Sequence, residues 1–102
     1  MKKETFFNLV QDLQSDCKII LEKKANDYAT ETDVLSAFKL IASITKDSPN
    51  KIFLIECAQK MVRLGELTSG TKQVKNESIE DSFKDFINYL TLWYAYRQED
   101  KC

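Results

Sequence analysis

The sequence contains no histidine at all. Histidine is the usual general base beside a serine or cysteine nucleophile, and it is a common ligand of zinc. Its absence excludes Ser–His and Cys–His catalysis and also excludes metal sites built on histidine. Any chemistry of this chain must therefore use carboxylates, lysine, tyrosine or a metal ion held by oxygen ligands.

Glycine and proline are scarce, with two Gly and one Pro among 102 residues. A chain with so few turn residues has little means of forming hairpins, which favours long helices joined by short connections. The length fits a single domain, residues 1–102. We therefore predict an all-α fold, a compact four-helix domain.

Three further features are missing from the chain. Fifteen Lys and Arg against 16 Asp and Glu give a net charge of −1, so duplex nucleic acid is not an expected partner. No apolar run approaches the roughly 20 residues of a membrane span, so no membrane partner is expected. Cys17, Cys57 and Cys102 are odd in number and form no CxxC pair, which predicts reduced thiols in a cytoplasmic protein.

Hydrophobic periodicity predicts where the helices lie. The four predicted helices span residues 4–25, 33–45, 49–67 and 77–97, with bounds good to a few residues. Ser48 followed by Pro49 predicts an N-cap and the first position of the third helix.

The polar stretch 23–33 is interpreted as a helix end and a loop. Lys23 suits the C-terminal end of the helix dipole, or it contacts a ligand. Asp27 and Tyr28 are either turn residues or contacts to a sugar and a base. Both interpretations stay open at this point.

The fourth predicted helix has two contrasting sides. Its apolar side has core-facing spacing and comprises Ile79, Phe83, Phe86, Ile87, Leu90 and Tyr94. Its polar side comprises Glu77, Asp81, Asp85 and Asn88. Like charges four residues apart repel unless a cation lies among them. That cation is Mg²⁺, or a Lys or Arg of another helix, unless the side is simply solvated.

The end of this helix is aromatic nearly all round, through Trp93, Tyr94 and Tyr96. So much aromatic surface exceeds what a small monomer needs to bury. We therefore expect a homo-oligomer, a dimer or a higher assembly.

The third predicted helix also has two sides. Its apolar side comprises Leu54, Cys57, Ala58, Met61, Val62 and Gly65. Its opposite side is a charged ridge of Glu56, Lys60 and Arg63. The ridge is either a solvated surface with pairs four residues apart or a group of side chains that binds phosphate.

Three stretches together resemble a known family. They are KKANDYATETDVLSAF (23–38), QKMVRLGEL (59–67) and VKNESIEDSFKDFINYL (74–90). The pattern resembles the first type of nucleotide modification associated domain of phages and bacteria. That family is related to the all-α nucleoside triphosphate pyrophosphatases, the MazG-like group.

The resemblance implies a pocket for a nucleotide or cyclic nucleotide between the third and fourth helices and the loop after the first. The implied ligand-binding residues are Lys23, Asp27, Tyr28, Lys60, Arg63 and Asn88. Glu77, Asp81 and Asp85 match in character one of the two carboxylate sets that hold Mg²⁺ in the related pyrophosphatases. The other set has no clean match, since Glu56 stands alone, so enzymatic activity stays open.

Several functions fit these expectations. The first is a phage-type protein that acts on or sequesters a (deoxy)nucleotide, by pyrophosphatase-like hydrolysis or in an accessory role in nucleotide modification. An alternative is an anti-defence sponge that sequesters a host cyclic-nucleotide signal without catalysis. A further alternative is a helical module that binds another protein.

Overall fold

Four α-helices follow one another in the computed structural model, which describes residues 1–28, 33–70 and 78–99. They are α1 (Lys3–Tyr28), α2 (Ser36–Thr45), α3 (Pro49–Ser69) and α4 (Ile79–Glu99). The described residues contain no β-strand. The predicted all-α, four-helix fold is thereby confirmed, whereas the predicted homo-oligomer stays a prediction.

Side-chain caps fix the starts of α3 and α4. The Ser48 Oγ accepts a hydrogen bond of 3.2 Å from the backbone N–H of Asn50, and Pro49 begins α3 as the sequence predicts. The Ser78 Oγ accepts a bond of 3.0 Å from the backbone N–H of Asp81, directly before α4. Each cap satisfies a backbone donor that has no partner within its helix.

Two helix bounds differ from the prediction by three residues, and the others agree to within two. α1 continues to Tyr28 instead of ending near residue 25, and Lys24 near its end forms an ion pair with Asp85 of α4. α2 begins at Ser36 instead of 33. The Asp33 carboxylate accepts a hydrogen bond of 2.8 Å from the backbone N–H of Leu35, so residues 33–35 form a turn that leads into α2.

The helices pack as two central and two flanking elements. α3 and α4 pack against each other, α2 packs on α3, and α1 packs on α4. The buried apolar residues are few: Cys17, Leu35, Ala42, Ile52, Phe53, Cys57 and Leu67. Phe53 is fully buried, between the rings of Phe38 at 4.5 Å and Tyr96 at 5.7 Å between centroids. This aromatic row joins α2, α3 and α4.

The orientation of α3 reverses the expected one. Of its predicted apolar side only Cys57 is buried, and the exposed remainder comprises Leu54, Ala58, Met61, Val62 and Gly65. The charged ridge of Glu56, Lys60 and Arg63 is half-buried and faces the rest of the domain. Ile52, Phe53, Cys57 and Leu67 supply enough apolar area on the inward side to bury it in spite of these charges.

α4 is oriented in a similar way. Its buried residues are Ser82 and Asn88, whereas Phe83, Leu90 and Tyr94 of the expected core side are exposed. Trp93 and Tyr96 are half-buried within the chain, and the Trp93 Nε1–H donates to the Asn50 Oδ1 at 3.0 Å. Of the three aromatic residues from which we predicted an oligomer, only Tyr94 is therefore exposed.

None of the helices within residues 1–28, 33–70 and 78–99 has both the length and the apolar character to cross a membrane.

Candidate functional site

A cleft of about 510 Å³ lies between α1 and α2, with α4 and one residue of α3 completing its wall. Most of its lining is apolar, contributed by side chains such as Leu21, Phe38 and Leu92. Its polar lining residues are Glu22, Lys24, Glu56, Asp85, Asn88 and Tyr89. Such a volume and such a mixture of apolar walls with a few polar groups are typical of small-molecule sites.

Asp85 holds two lysines at this cleft. The Lys24 Nζ of α1 lies 2.8 Å from one carboxylate oxygen, and the Lys60 Nζ of α3 lies 2.8 Å from the other. The Asp85 side chain is only 19% exposed, so water screens these pairs less than it screens surface ion pairs. The cation that the acidic side of the fourth helix requires is therefore supplied, at Asp85, by lysines of two other helices.

The pairing sets the protonation of the cluster. Burial alone would raise the pKa of Asp85, but the hydrogen bonds and charges of Lys24 and Lys60 outweigh it and hold that pKa below its ordinary value. Burial alone would lower the pKa of Lys60, yet its bond to Asp85 and the nearby negative charges raise it. At neutral pH Asp85 is thus a carboxylate and Lys60 an ammonium group.

Tyr89 connects this cluster to the aromatic row. The Lys60 Nζ lies 5.1 Å from the centroid of the Tyr89 ring, which is the geometry of a cation–π contact. The ring in turn meets Phe38 edge to face, at 6.2 Å between centroids. Burial raises the pKa of the Tyr89 hydroxyl, so the phenol stays protonated and is able to donate a hydrogen bond.

Asn88 is the most buried polar residue of the cleft lining, at 2% exposure. Its Nδ2 donates a hydrogen bond of 3.2 Å to the backbone carbonyl of Cys17, which joins α4 to α1 and fixes the orientation of the amide. No donor among the described residues reaches its buried Oδ1. A buried acceptor without a donor costs about 1–3 kcal/mol, but this atom has less than 1 Å² of accessible surface, so a ligand reaches it only after a local rearrangement.

Asp81 lies one turn before Asp85 and lines a smaller cavity of about 260 Å³ together with Ile20, Lys24 and Asp85. Within the part of the chain that the structure describes, no three acidic or sulfur side chains are grouped closely enough to hold a metal ion. The third predicted Mg²⁺ ligand, Glu77, lies outside the described residues. The Mg²⁺ site therefore stays a prediction.

The predicted ligand-binding residues separate into three groups. Lys60 and Asn88 line or adjoin the cleft as described above. Lys23 is exposed, and Arg63 is half-buried on the inward side of α3 but does not line the cleft. Asp27 and Tyr28 belong to the last turn of α1, and their side chains lie outside the described part.

Sequence reasoning missed Lys24, Phe38 and Tyr89 as members of the site. A signal for Lys24 is present in the sequence, because it lies seven residues after Cys17 and so continues the stripe with which α1 contacts α4. Tyr89 follows Asp85 by four residues and therefore lies on the same side of α4. For Phe38 the spacing indicates only a core residue.

The thiols take no part in this site. Cys17 and Cys57 are both buried and free, and burial raises the pKa of each thiol. Thiolate is therefore scarce at neutral pH, and these two cysteines are core residues, as their positions in the sequence suggest. Cys102 lies outside the described residues.

Comparison with known proteins gives no match: neither a protein-family model, nor a curated protein, nor a solved structure is similar to this chain. Function is therefore inferred from the cleft and its side chains.

Proposed function

We propose that the cleft binds a nucleotide and retains it. The observation that carries this proposal is the pair Lys24 and Lys60, held on Asp85 beside the aromatic rings of Tyr89 and Phe38. A nucleotide combines an anionic phosphate with a flat, partly apolar base. The cleft has cations for the first and an apolar, aromatic wall for the second.

Each lysine ammonium has three N–H donors, so it is able to bind a phosphate while it keeps its bond to Asp85. Each lysine donates to one oxygen of Asp85, and a phosphate presents several oxygens that accept equally well. The cluster of Lys24, Lys60 and Asp85 has a net positive charge, but Glu22 and Glu56 also line the cleft. A phosphate is therefore expected to bind at the two lysines and not elsewhere in the cleft. An anion that enters the cleft thus meets two ammonium groups that are already positioned.

Base binding uses the other part of the cleft. Aromatic side chains stack on bases without requiring a particular base, and each stacked base is worth about 1–3 kcal/mol. The Asn88 Oδ1 is a buried acceptor with no donor among the described residues, and an amino group of a base supplies one if a local rearrangement opens a path to it. This atom favours a base that carries an exocyclic amine.

Sequestration is the form of the proposal that the cluster supports better than hydrolysis. Both oxygens of Asp85 are occupied by lysines, so a nucleotide binds without first requiring a metal ion. Metal-assisted hydrolysis would need Asp85 to release a lysine and to join Asp81 and Glu77 around Mg²⁺. The resemblance to phage nucleotide domains agrees with either form, and assembly into a homo-oligomer remains part of the proposal.

The test is a thermal-shift screen of the full chain with mono-, tri- and cyclic nucleotides, each with and without Mg²⁺. We expect at least one nucleotide to raise Tm without being consumed, since a ligand that binds only the folded state stabilises it. If no nucleotide shifts Tm, the proposal is wrong. Pyrophosphate release that depends on Mg²⁺ would replace sequestration with hydrolysis.

Two adjacent lysines provide a matched control for the site. Lys24→Ala removes an ammonium from the Asp85 cluster, whereas Lys23→Ala removes the same charge from an exposed position one residue away. Loss of a charge-assisted hydrogen bond costs roughly 1.5–3 kcal/mol, which is about tenfold or more in affinity. We expect calorimetry to show that loss for Lys24→Ala only. Equal affinities of the two variants would remove the cluster from the site.

A further inference from the structure

The exposed side of α3 has an unusual composition for a protein surface. We define the outer face of α3 as Leu54, Ala58, Met61, Val62 and Gly65. Leu54, Met61 and Val62 are 54%, 62% and 61% exposed. The charged residues of this part of the helix, Glu56, Lys60 and Arg63, are half-buried on its other side. The outer face therefore exposes apolar area that no charge interrupts.

The total surface of the chain supports the presence of a covering partner. The accessible surface is 7873 Å². A folded monomer of 11.8 kDa is expected to expose about 5,900 Å². The excess of roughly 2,000 Å² is more than the approximately 800 Å² per partner that a standard stable interface buries. The excess belongs to the whole chain, since α1, α2 and α4 also expose apolar side chains, and the outer face of α3 is one part of it.

Gly65 is a second, separate indication. Glycine in a helix interior is unfavourable relative to alanine, so it requires a reason. Apart from the helix's own backbone, no described atom lies within 4 Å of the position that a Cβ of Gly65 would take. The chain's own packing therefore does not demand glycine there. A neighbouring backbone that approaches this position closely would explain the glycine, since glycine leaves room for it.

We propose that the outer face of α3 packs against the same face of a second copy of this chain. In a two-fold symmetric contact each patch meets itself, so any charge on the patch would meet its like. The outer face carries none between Leu54 and Gly65. Lys51, one turn before Leu54, is paired with Asp47 at 3.2 Å. An uncharged apolar face with a glycine is thus suited to self-association, and this inference does not depend on the nucleotide proposal.

Light scattering coupled to gel filtration tests the proposal, with the full chain at several micromolar concentrations. The parent is expected at twice its 11.8 kDa mass. Met61→Glu places a charge opposite its own copy and is expected to give a monomer with unchanged helical circular dichroism. Leu40→Glu is the matched control, because Leu40 of α2 is also 62% exposed but lies off this face. It should leave the dimer intact.

If a charged variant fails to fold, cysteine crosslinking provides a second test of the contact between the two outer faces. Met61→Cys and Leu40→Cys are made separately in a Cys102→Ser background and oxidised mildly. A covalent dimer that forms through position 61 and not through position 40 supports the proposal. A monomeric parent, a Met61→Glu variant that remains dimeric, or crosslinking through position 40 alone would overturn it.

Discussion

Most surface helices bury their apolar side and expose their charged side, whereas α3 directs charged residues inward and exposes an uncharged apolar side. The inward side carries Glu56, Lys60 and Arg63 among its apolar residues, whereas the outward side between Leu54 and Gly65 is free of charge. A charge that faces inward needs a specific partner, and Lys60 has Asp85. An apolar side that faces outward needs a cover. The difference underlies both proposals, a binding site on the inward side of the helix and an assembly surface on the outward side.

α4 supports the same reading with other residues. Its inward side holds Ser82, Asp85 and Asn88, and its outward side exposes Phe83 and Tyr94. Polar groups on the inward sides of two packed helices are costly to stability, and proteins keep such groups mainly where they function. The two central helices thus direct their polar residues toward each other and toward α1.

The largest expected effect on stability is that of Phe53→Ala, and the comparison is with Leu54→Ala on the opposite side of α3. Phe53→Ala removes a fully buried ring and is expected to lower the free energy of unfolding by about 3–5 kcal/mol. Leu54→Ala, at 54% exposure, is expected to change that of the isolated chain by less than about 0.5 kcal/mol. Urea unfolding measures both.

The dependence of these two stability costs on protein concentration tests whether the outer face of α3 is paired. If the outer face of α3 is paired, the cost of Leu54→Ala should grow as the protein concentration rises, because the parent then gains stability from association. The cost of Phe53→Ala should not grow in this way. A large cost of Leu54→Ala at every concentration would contradict the assigned orientation of α3.

The next effect concerns the cluster on the inward side. Asp85→Asn leaves Lys24 and the half-buried Lys60 without their carboxylate and is expected to cost about 2–3 kcal/mol at neutral pH. Asp81→Asn is the control, because Asp81 is exposed one turn away. Its expected effect is within about 0.5 kcal/mol. Similar losses of unfolding free energy for the two variants would mean that the cluster of Lys24, Lys60 and Asp85 contributes no more to stability than an exposed surface charge.

The pH dependence of stability gives the same cluster a second test. The pKa of Asp85 is lower in the folded than in the unfolded chain. Its contribution is therefore fully present above the unfolded value, about 3.9, and is lost as pH falls through the folded value. The stability difference between the parent and Asp85→Asn should shrink below about pH 4. A difference that is constant from pH 7 to pH 3 would be inconsistent with the depressed pKa.

The sequence predicted the parts of this fold that depend on neighbours in the chain. The start of α3 at Pro49 follows from Ser48 and Pro49 alone. The contact of Lys24 with Asp85 was not predictable in this way, because the two residues lie 61 positions apart. Periodicity also identifies two sides of a helix without stating which one is buried.

The candidate site shows the same limit. Asp85, Lys60 and Asn88 were selected from the sequence, and the structure brings them to one cleft or its edge. Lys24 was not selected although its neighbour Lys23 was, since the choice between adjacent lysines depends on the rotation of α1 against α4. Tyr89 gains its role only through its contacts with Lys60 and Phe38.

The smallest expected effect is the one that best separates the two sides of α3. Gly65→Ala adds a methyl group where no described atom outside the helix lies within 4 Å, so it should favour the helix of the isolated chain by about 0.5–1 kcal/mol. In a dimer through the outer face, the same methyl group enters the contact and should weaken association. We expect unfolding at low protein concentration to show a more stable variant. Sedimentation at high concentration should show more monomer than in the parent. A variant that is more stable and associates as tightly as the parent would leave the glycine unexplained and would remove it from the interface.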